Sequence, residues 1–295
     1  MELTRKQFDI LVAMVCSKML TQRKLQDVTG MSLGSVNRTL KELYNAGYVE
    51  DSRVTERGLS ALEPYRVKRA IFIAAGFGSR LVPVTLNTPK PLVRVGGVRI
   101  IDTLLDAVVA AGIEDIYIVR GYLAEQFDQL LYKYPKIKFI ENPAYNEANN
   151  ISSAMQAKHL LSNSYVFEAD LLLSNPALIK PYQYKSNFLG FKVERTDDWC
   201  FEVKDGVIIN QKVGGFNCYQ EVGISYWDNT DGQKLSEHIE QVYAMPGGKE
   251  RYWDQVPMLI YKKDYRVEIR ECKKEDVVEI DTFRELKAID SSYDV

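Results

Sequence analysis

An arginine and a lysine stand in one loop opened by two glycines: Gly76-Phe-Gly-Ser-Arg80 leads through Pro83 and Thr85 to Pro89-Lys90-Pro-Leu92. The loop follows the apolar run Ala70-Ile-Phe-Ile-Ala74, which reads as a buried strand. Glycines let backbone N–H groups turn towards phosphate oxygens, and Arg80 and Lys90 add positive charge, so the segment suits a triphosphate. Pro83, Pro89 and Pro91 are expected to keep it extended rather than helical. Two phosphate loops are excluded by spacing. A dinucleotide fingerprint needs a third glycine where Leu81 stands, and a P-loop needs its Gly-Lys-Ser/Thr to begin at that residue.

Carboxylates follow at intervals that complement the loop. Asp170 ends the strand-like run from Tyr165, and Asp281 ends Val278-Glu-Ile, with Glu279 on the same face two residues earlier. A triphosphate brings Mg2+, which takes one or two carboxylates besides phosphate and water, and the loop and strand together predict an acidic ligand at Asp170. A strand-terminal aspartate also serves as a helix cap, the alternative for Asp281 before Thr282. Three tryptophans, Trp199, Trp227 and Trp253, lie in the C-terminal half, two of them followed at once by aspartate. Aromatic faces beside carboxylates suit a quaternary ammonium, which has no hydrogen bond to offer. Core packing is the alternative for each tryptophan, for Trp227 above all.

The bulk numbers narrow the setting. The chain has 295 residues, 46% hydrophobic and 26% charged, with a net charge of −2. That balance fits a globular protein and argues against a chain-wide polyanion-binding role. No apolar run is long enough to span a bilayer, and the N-terminus lacks a signal-peptide core, so a cytoplasmic location without membrane attachment is expected. The 4 cysteines are scattered without a C-x-x-C pair, and only 2 histidines occur, so any metal should have oxygen ligands.

Two regions position these groups. In residues 1–66, Phe8, Leu11, Val12, Val15 and Met19 recur at helical spacing. A short helix from Gln22 to Val28 with Leu25 and Val28 inward comes next, then a helix capped by Ser32 or Ser35 with Val36, Leu40 and Leu43 inward. Two short strands around a turn and a helix from Glu56 complete the unit. The order resembles a winged helix-turn-helix domain, which implies a recognition helix exposing Asn37, Arg38 and Lys41, with Arg53 in the wing, as DNA contacts. Such a domain also serves for docking or for forming a homodimer. Residues 67–295 alternate strands and helices: a helix at 101–111, a strand from Asp115, a helix at 124–133, a strand from Lys136, a helix at 151–161 and the strand to Asp170. That βαβ order predicts a mostly parallel, mixed α/β sheet of Rossmann-like type with ligands at the strand carboxyl ends. Short strands with Gly-rich turns are expected over 188–227, then helices at 233–243 and 253–262.

The signature G-x-G-x-R-x-x-P-x-T-x-x-x-P-K-P-L, ungapped from Gly76 to Leu92, resembles the sugar-phosphate and choline-phosphate nucleotidylyltransferases. Gly223-Ile-Ser-Tyr-Trp-Asp, Tyr252-Trp-Asp254 and Val278-Glu-Ile-Asp-Thr resemble the CTP:phosphocholine cytidylyltransferases of bacterial surface decoration. The resemblance implies Mg2+-dependent cytidylyl transfer from CTP to phosphocholine. It assigns Asp170 and Asp281 to the ion, Arg80 and the amides of Gly76, Gly78 and Ser79 to the terminal phosphates, and Lys90 to the reacting phosphates. Backbone near Ala74 and Ala75, with Asn150 and Ser152, would read the base. Trp199, Tyr252, Trp253, Asp254 and Glu279 would form the choline pocket. The same chemistry on phosphoethanolamine, 2-aminoethylphosphonate or a sugar 1-phosphate is the first alternative. A DNA-binding regulator with a nucleotide-sensing transferase domain is the second.

Overall fold

A computed structural model describes residues 2–17 and 21–294; the expected inward position of Met19 lies outside the described residues. The chain divides into two compact units, residues 1–66 with 182–184, and 67–181 with 185–295.

The first unit holds α1 (Arg5–Cys16), α2 (Gln22–Thr29), α3 (Leu33–Asn45), the strands β1 (Val49–Glu50) and β2 (Arg53–Val54), and α4 (Glu56–Leu62). Each helix starts on a hydroxyl cap: Thr4 (with Gln7 completing a capping box), Thr21, Ser32 and Thr55. Each cap is worth about 1 kcal/mol. Leu11, Leu25, Val36, Leu40 and Leu43 are buried together. Val28 is 63% exposed, against expectation. The helix ends at Thr29, with its cap Gly30 in the left-handed region, and Leu25 is the buried residue of α2.

In the second unit the elements are β3 (Arg69–Ile73), β4 (Arg94–Val95), β5 (Val98–Arg99), α5 (Ile100–Ala110), β6 (Asp115–Arg120), β7 (Ile137–Glu141), α6 (Ile151–Ala157), β8 (Ser164–Glu168), β9 (Leu171–Leu173), β10 (Asn187–Lys204), β11 (Val207–Trp227), α7 (Asn229–Ala244), β12 (Glu268–Glu271), β13 (Val277–Glu279) and α8 (Phe283–Ile289). Strands β7, β6, β3 and β8 lie side by side and parallel. Strand β11 runs antiparallel to β8, β10 antiparallel to β11, and β12 parallel to β10. The result is the expected mixed, mostly parallel α/β sheet, with helices on both faces. Alternation along the strands assigns the faces. Ala70, Phe72, Ile116, Ile118, Tyr165 and Phe167 pack with Ile101, Leu104 and Val108 of α5. Ile71, Val119 and Val166 pack with Ile151 and Ala154 of α6 and with Leu235 and Ile239 of α7.

Three expectations change. Residues 124–132 form 3₁₀ turns rather than an α-helix, and the helix expected at 253–262 is a π-type turn (Val256–Ile260) followed by a 3₁₀ turn (Lys262–Asp264). Pro257 within the first of these lacks the N–H that a regular ladder needs. Residues 188–227 form two long strands, of 18 and 21 residues, instead of several short ones. The Asp205-Gly206 turn joins them with φ of +50° and +76°, the geometry that matches strand twist in a two-residue hairpin. Near Gly214-Gly215 the hairpin folds back, so that Phe201 pairs with both Gln211 and Tyr219.

Candidate active site

The carboxyl ends of β3 and β8 meet where Ile73 pairs with Glu168. Beyond β3 the loop carrying Arg80 and Lys90 winds through three 3₁₀ turns, Ser79–Leu81, Val84–Leu86 and Lys90–Leu92, rather than staying extended. The proline φ is compatible with a first helical turn, which is where Pro91 sits. Gly78 has φ +62°, and a Cβ there would lie 2.9 Å from Lys90 Cβ, so this position requires glycine twice over. The Thr85 hydroxyl donates to the Gly78 carbonyl at 2.8 Å, and the Tyr122 hydroxyl donates to the carbonyls of Thr85 and Leu86 at 3.0 and 3.2 Å. Leu81 and Val93 from the loop bury against Ile280 and Leu286. Burial of such side chains, roughly 1.5–3 kcal/mol each, fastens the loop to the segment carrying Glu279 and Asp281.

Cations and carboxylates then meet at short range. Lys90 Nζ lies 2.7 Å from Asp170 Oδ2 and 2.9 Å from Asp281 Oδ1. Arg80 Nη1 donates to Asp281 Oδ2 at 3.0 Å, and its Nη2 lies 2.9 Å from Asp281 Oδ1. Burial pushes the Lys90 ammonium down, but Asp170 and Asp281 outweigh it and its pKa ends raised, so Lys90 is charged. Asp281 is not the cap of α8; Thr282 is, in a capping box with Glu285, while the Asp281 N–H donates to the Glu285 carboxylate at 2.9 Å.

Glu168, Asp170 and Glu279 offer carboxylate oxygens within 4.8 Å of one another. Strands β9 and β13 hold Glu279 opposite Leu171, beside Asp170. Desolvation raises the pKa of Glu168 and of Glu279 well above the carboxylate range, and the charge of Asp170 adds to both. Asp170 Oδ1 is buried and has no hydrogen-bond partner among the described residues. An all-oxygen set with a surplus of negative charge and an unpaired oxygen fits a small hard divalent cation.

A cavity of about 470 Å³ opens over these groups. It is lined by Ala74, Gly76, Gly78, Ser79, Arg80 and Lys90 of the loop, by Asn150, and by Asp198, Trp199, Glu221, Tyr252 and Asp254. Trp199 and Tyr252 meet edge to face with centroids 6.0 Å apart. Desolvation raises the pKa of Glu221 well above the ordinary range, reinforced by the Asp254 charge, and burial raises that of Asp254; hydrogen bonds from Gln211 oppose both shifts.

Not every residue singled out in the sequence reaches this cavity. Trp253 is 2% exposed and packs in the core against Phe188 and Trp227; the edge of the cavity receives only its neighbours Tyr252 and Asp254. The fully buried Trp227 is core as well. Ser152 is buried, accepting from Asn142 and donating to the Asn149 carbonyl, while Asn150 lines the cavity and accepts the Trp253 N–H at 2.9 Å. Ala75 is buried behind Ala74, its carbonyl holding the Tyr122 N–H. Glu279 faces Asp170 and Glu168 together with the cavity. Asn37, Arg38, Lys41 and Arg53 are exposed in the first unit. Sequence reasoning passed over Glu168, Asp198 and Glu221. The available signal was a lone acid at the end of an apolar strand, as in Tyr165-Val-Phe-Glu168, which a buried strand tolerates only for a reason.

A parallel-sheet crevice with a glycine-rich loop, two cations and a carboxylate cluster is the site of a nucleotidyltransferase. The chain belongs to the nucleotidyl transferase family, whose pattern residues 69–194 match. It is 36% identical over 228 residues to the 2-aminoethylphosphonate cytidylyltransferase of Lancefieldella rimae, covering 76% of this chain and 92% of that one. It is 32% identical over 228 residues to the choline-phosphate cytidylyltransferase of Streptococcus pneumoniae, covering 75% and 96%. A solved structure of the CTP:phosphocholine cytidylyltransferase from Streptococcus pneumoniae superposes with a TM-score of 0.71 at 31% identity, covering 77% of this chain and 99% of that one. No helix among the described residues is long and apolar enough to cross a membrane.

Proposed function

We propose that the protein transfers a cytidylyl group from CTP to a small phosphate or phosphonate bearing an ammonium group, releasing pyrophosphate. One observation carries this reading: the cavity that holds Arg80 and Lys90 beside the glycine-rich loop is also lined by Asp198, Glu221 and Asp254 and by the rings of Trp199 and Tyr252. An acceptor with an anionic head and a cationic tail matches that combination, whereas a neutral sugar ring would leave the carboxylates unpaired. Carboxylates outnumber aromatic rings in the cavity lining, and Trp253 lies in the core. A primary ammonium, able to donate hydrogen bonds, therefore fits best, as in 2-aminoethylphosphonate or phosphoethanolamine. The second reading is phosphocholine, supported by the Trp199–Tyr252 pair. The two named relatives act on acceptors of these two kinds.

In this mechanism an acceptor oxygen attacks the α-phosphorus of CTP, and the α–β anhydride bond breaks with its electrons leaving on pyrophosphate. The attacking oxygen is already anionic, so no general base is needed, and catalysis rests on positioning and charge neutralisation. Lys90 bridges the α-phosphate and the attacking group. Arg80 with the amides of Gly76, Gly78 and Ser79 holds the β- and γ-phosphates. Ala74 and Asn150 border the base, and Ser152 holds the Asn149 carbonyl next to Asn150. Asp170 with Glu168, Glu279 and Asp281 would hold Mg2+, which would supply positive charge against that developing on the leaving group. A pyrophosphate-release screen of CTP, UTP, dTTP and ATP against 2-aminoethylphosphonate, phosphoethanolamine, phosphocholine and glucose 1-phosphate tests the proposal. Turnover is expected with CTP and the amine-bearing acceptors; a preference for glucose 1-phosphate contradicts it.

The first unit we read as a winged helix that contacts DNA through Asn37, Arg38, Lys41 and Arg53. The support is the order of α1, α2, α3, the β1–β2 hairpin and α4, with these four side chains exposed. Salt-sensitive gel-shift binding that weakens in Arg38→Ala and Lys41→Ala is expected; unchanged binding in both variants rejects this use of the unit.

A further inference from the structure

Gln211 stands behind Glu221 and Asp254 of the cavity wall without lining the cavity itself. It is 2% exposed, and its Nε2 donates to Glu221 Oε2 at 2.8 Å and to Asp254 Oδ2 at 2.5 Å. The two carboxylates come from separate elements, Glu221 from β11 and Asp254 from the connection after α7, and both line the cavity. One amide nitrogen ties them together. The fold-back at Gly214-Gly215 makes this reach available, because it sets Gln211 and Tyr219 on either side of Phe201.

The chemistry at Gln211 is one-sided. An amide turned the other way would set its oxygen against two carboxylates, so the nitrogen must face them. Gln211 Oε1 is buried and has no partner among the described residues. A side chain chosen for packing alone would carry no such orphan, since an apolar residue of equal length fills the space without it. Nor does any lysine or arginine among the described residues pair with Glu221 or Asp254; the two cations lining the cavity, Arg80 and Lys90, are engaged with Asp170 and Asp281. The bridged pair therefore has accepting oxygens and no internal cation.

We infer that Gln211 is a specificity-determining positioning residue: it holds Glu221 and Asp254 together as one wall that selects acceptors carrying an N–H cation. This rests on the ammonium-bearing acceptor proposed above. The test compares 2-aminoethylphosphonate with ethylphosphonate, which has the same head and chain length but no amine, using the full chain with CTP and Mg2+. The wild type is expected to favour the amine. Gln211→Met keeps the length and loses both donors, and is expected to raise KM for 2-aminoethylphosphonate about tenfold or more. It should leave kcat, KM for CTP and kcat/KM for ethylphosphonate within about twofold. Gln211→Lys keeps both carboxylates paired and supplies an internal cation, so it should fold even where Gln211→Met does not, and should likewise erode the amine preference about tenfold. An unchanged preference in a folded variant, or an equal loss with both acceptors, overturns the role of Gln211 while leaving the reaction standing. A wild type indifferent to the amine overturns the acceptor reading itself, and this inference with it.

Discussion

Lys90→Ala is expected to lower kcat about 10³-fold or more, with the fold retained. The ammonium sits within 2.9 Å of two carboxylates, held by a loop whose close packing at Gly78 leaves its Cβ little freedom. No neighbouring group can replace it. Arg80 is committed to Asp281 by a hydrogen bond and an ion pair, and no contact ties it to Asp170. The loss corresponds to about 4 kcal/mol of transition-state stabilisation. The folded state is affected less, because Asp170 and Asp281 keep some access to solvent, with side chains 23% and 20% exposed. Lys90→Met should behave the same way, and Lys90→Arg should recover little, since a planar fork does not fit where a compact point charge sat. Steady-state pyrophosphate release with circular dichroism of each variant checks this; turnover within tenfold of wild type by Lys90→Ala contradicts the assigned role.

Asp170→Asn should be almost as damaging to catalysis, lowering kcat by about 10²–10³-fold, while leaving stability nearly unchanged. The substitution keeps the shape but removes one charge from a crowded set, Glu168, Glu279 and Asp170. Asp170 is among the charges that push Glu168 and Glu279 up, so its removal relieves repulsion in the folded state. Lys90 loses one partner but retains Asp281, so the two effects offset each other. The Mg2+ concentration giving half-maximal rate should rise as well. Thermal denaturation and a Mg2+ titration of the rate separate these consequences: a large drop in melting temperature would point to a structural aspartate, and an unaltered Mg2+ dependence would remove it from the metal site.

The parts of this site visible in the sequence are those written in consecutive residues. The loop from Gly76 to Leu92 needs its glycines, cations and prolines in fixed order, and Asp170 and Asp281 follow short apolar runs that end at the crevice. The parallel strands and α5 were equally plain, because Ala70, Ile71 and Phe72 alternate between two cores and α5 presents Ile101, Leu104 and Val108 together. What escaped was written across the chain. Gln211 and Glu221 share a strand, but they meet Asp254 only because the hairpin folds back at Gly214-Gly215, and no local period encodes that. Trp253 shows the opposite limit. The triplet Tyr252-Trp253-Asp254 looks like a single patch, yet successive side chains diverge: Trp253 enters the core while Tyr252 and Asp254 face the cavity. The orientation of a side chain within a motif depends on which side is already filled, here by Phe188 and Trp227.

The ammonium-bearing acceptor is tested most directly by following CTP, Mg2+ and 2-aminoethylphosphonate with the full chain by 31P NMR. The site described above predicts stoichiometric pyrophosphate and a new mixed anhydride joining cytidylyl phosphorus to phosphonate, both abolished by Lys90→Ala. Absence of that anhydride with every amine-bearing acceptor, alongside ready formation of a cytidylyl sugar from glucose 1-phosphate, would contradict it.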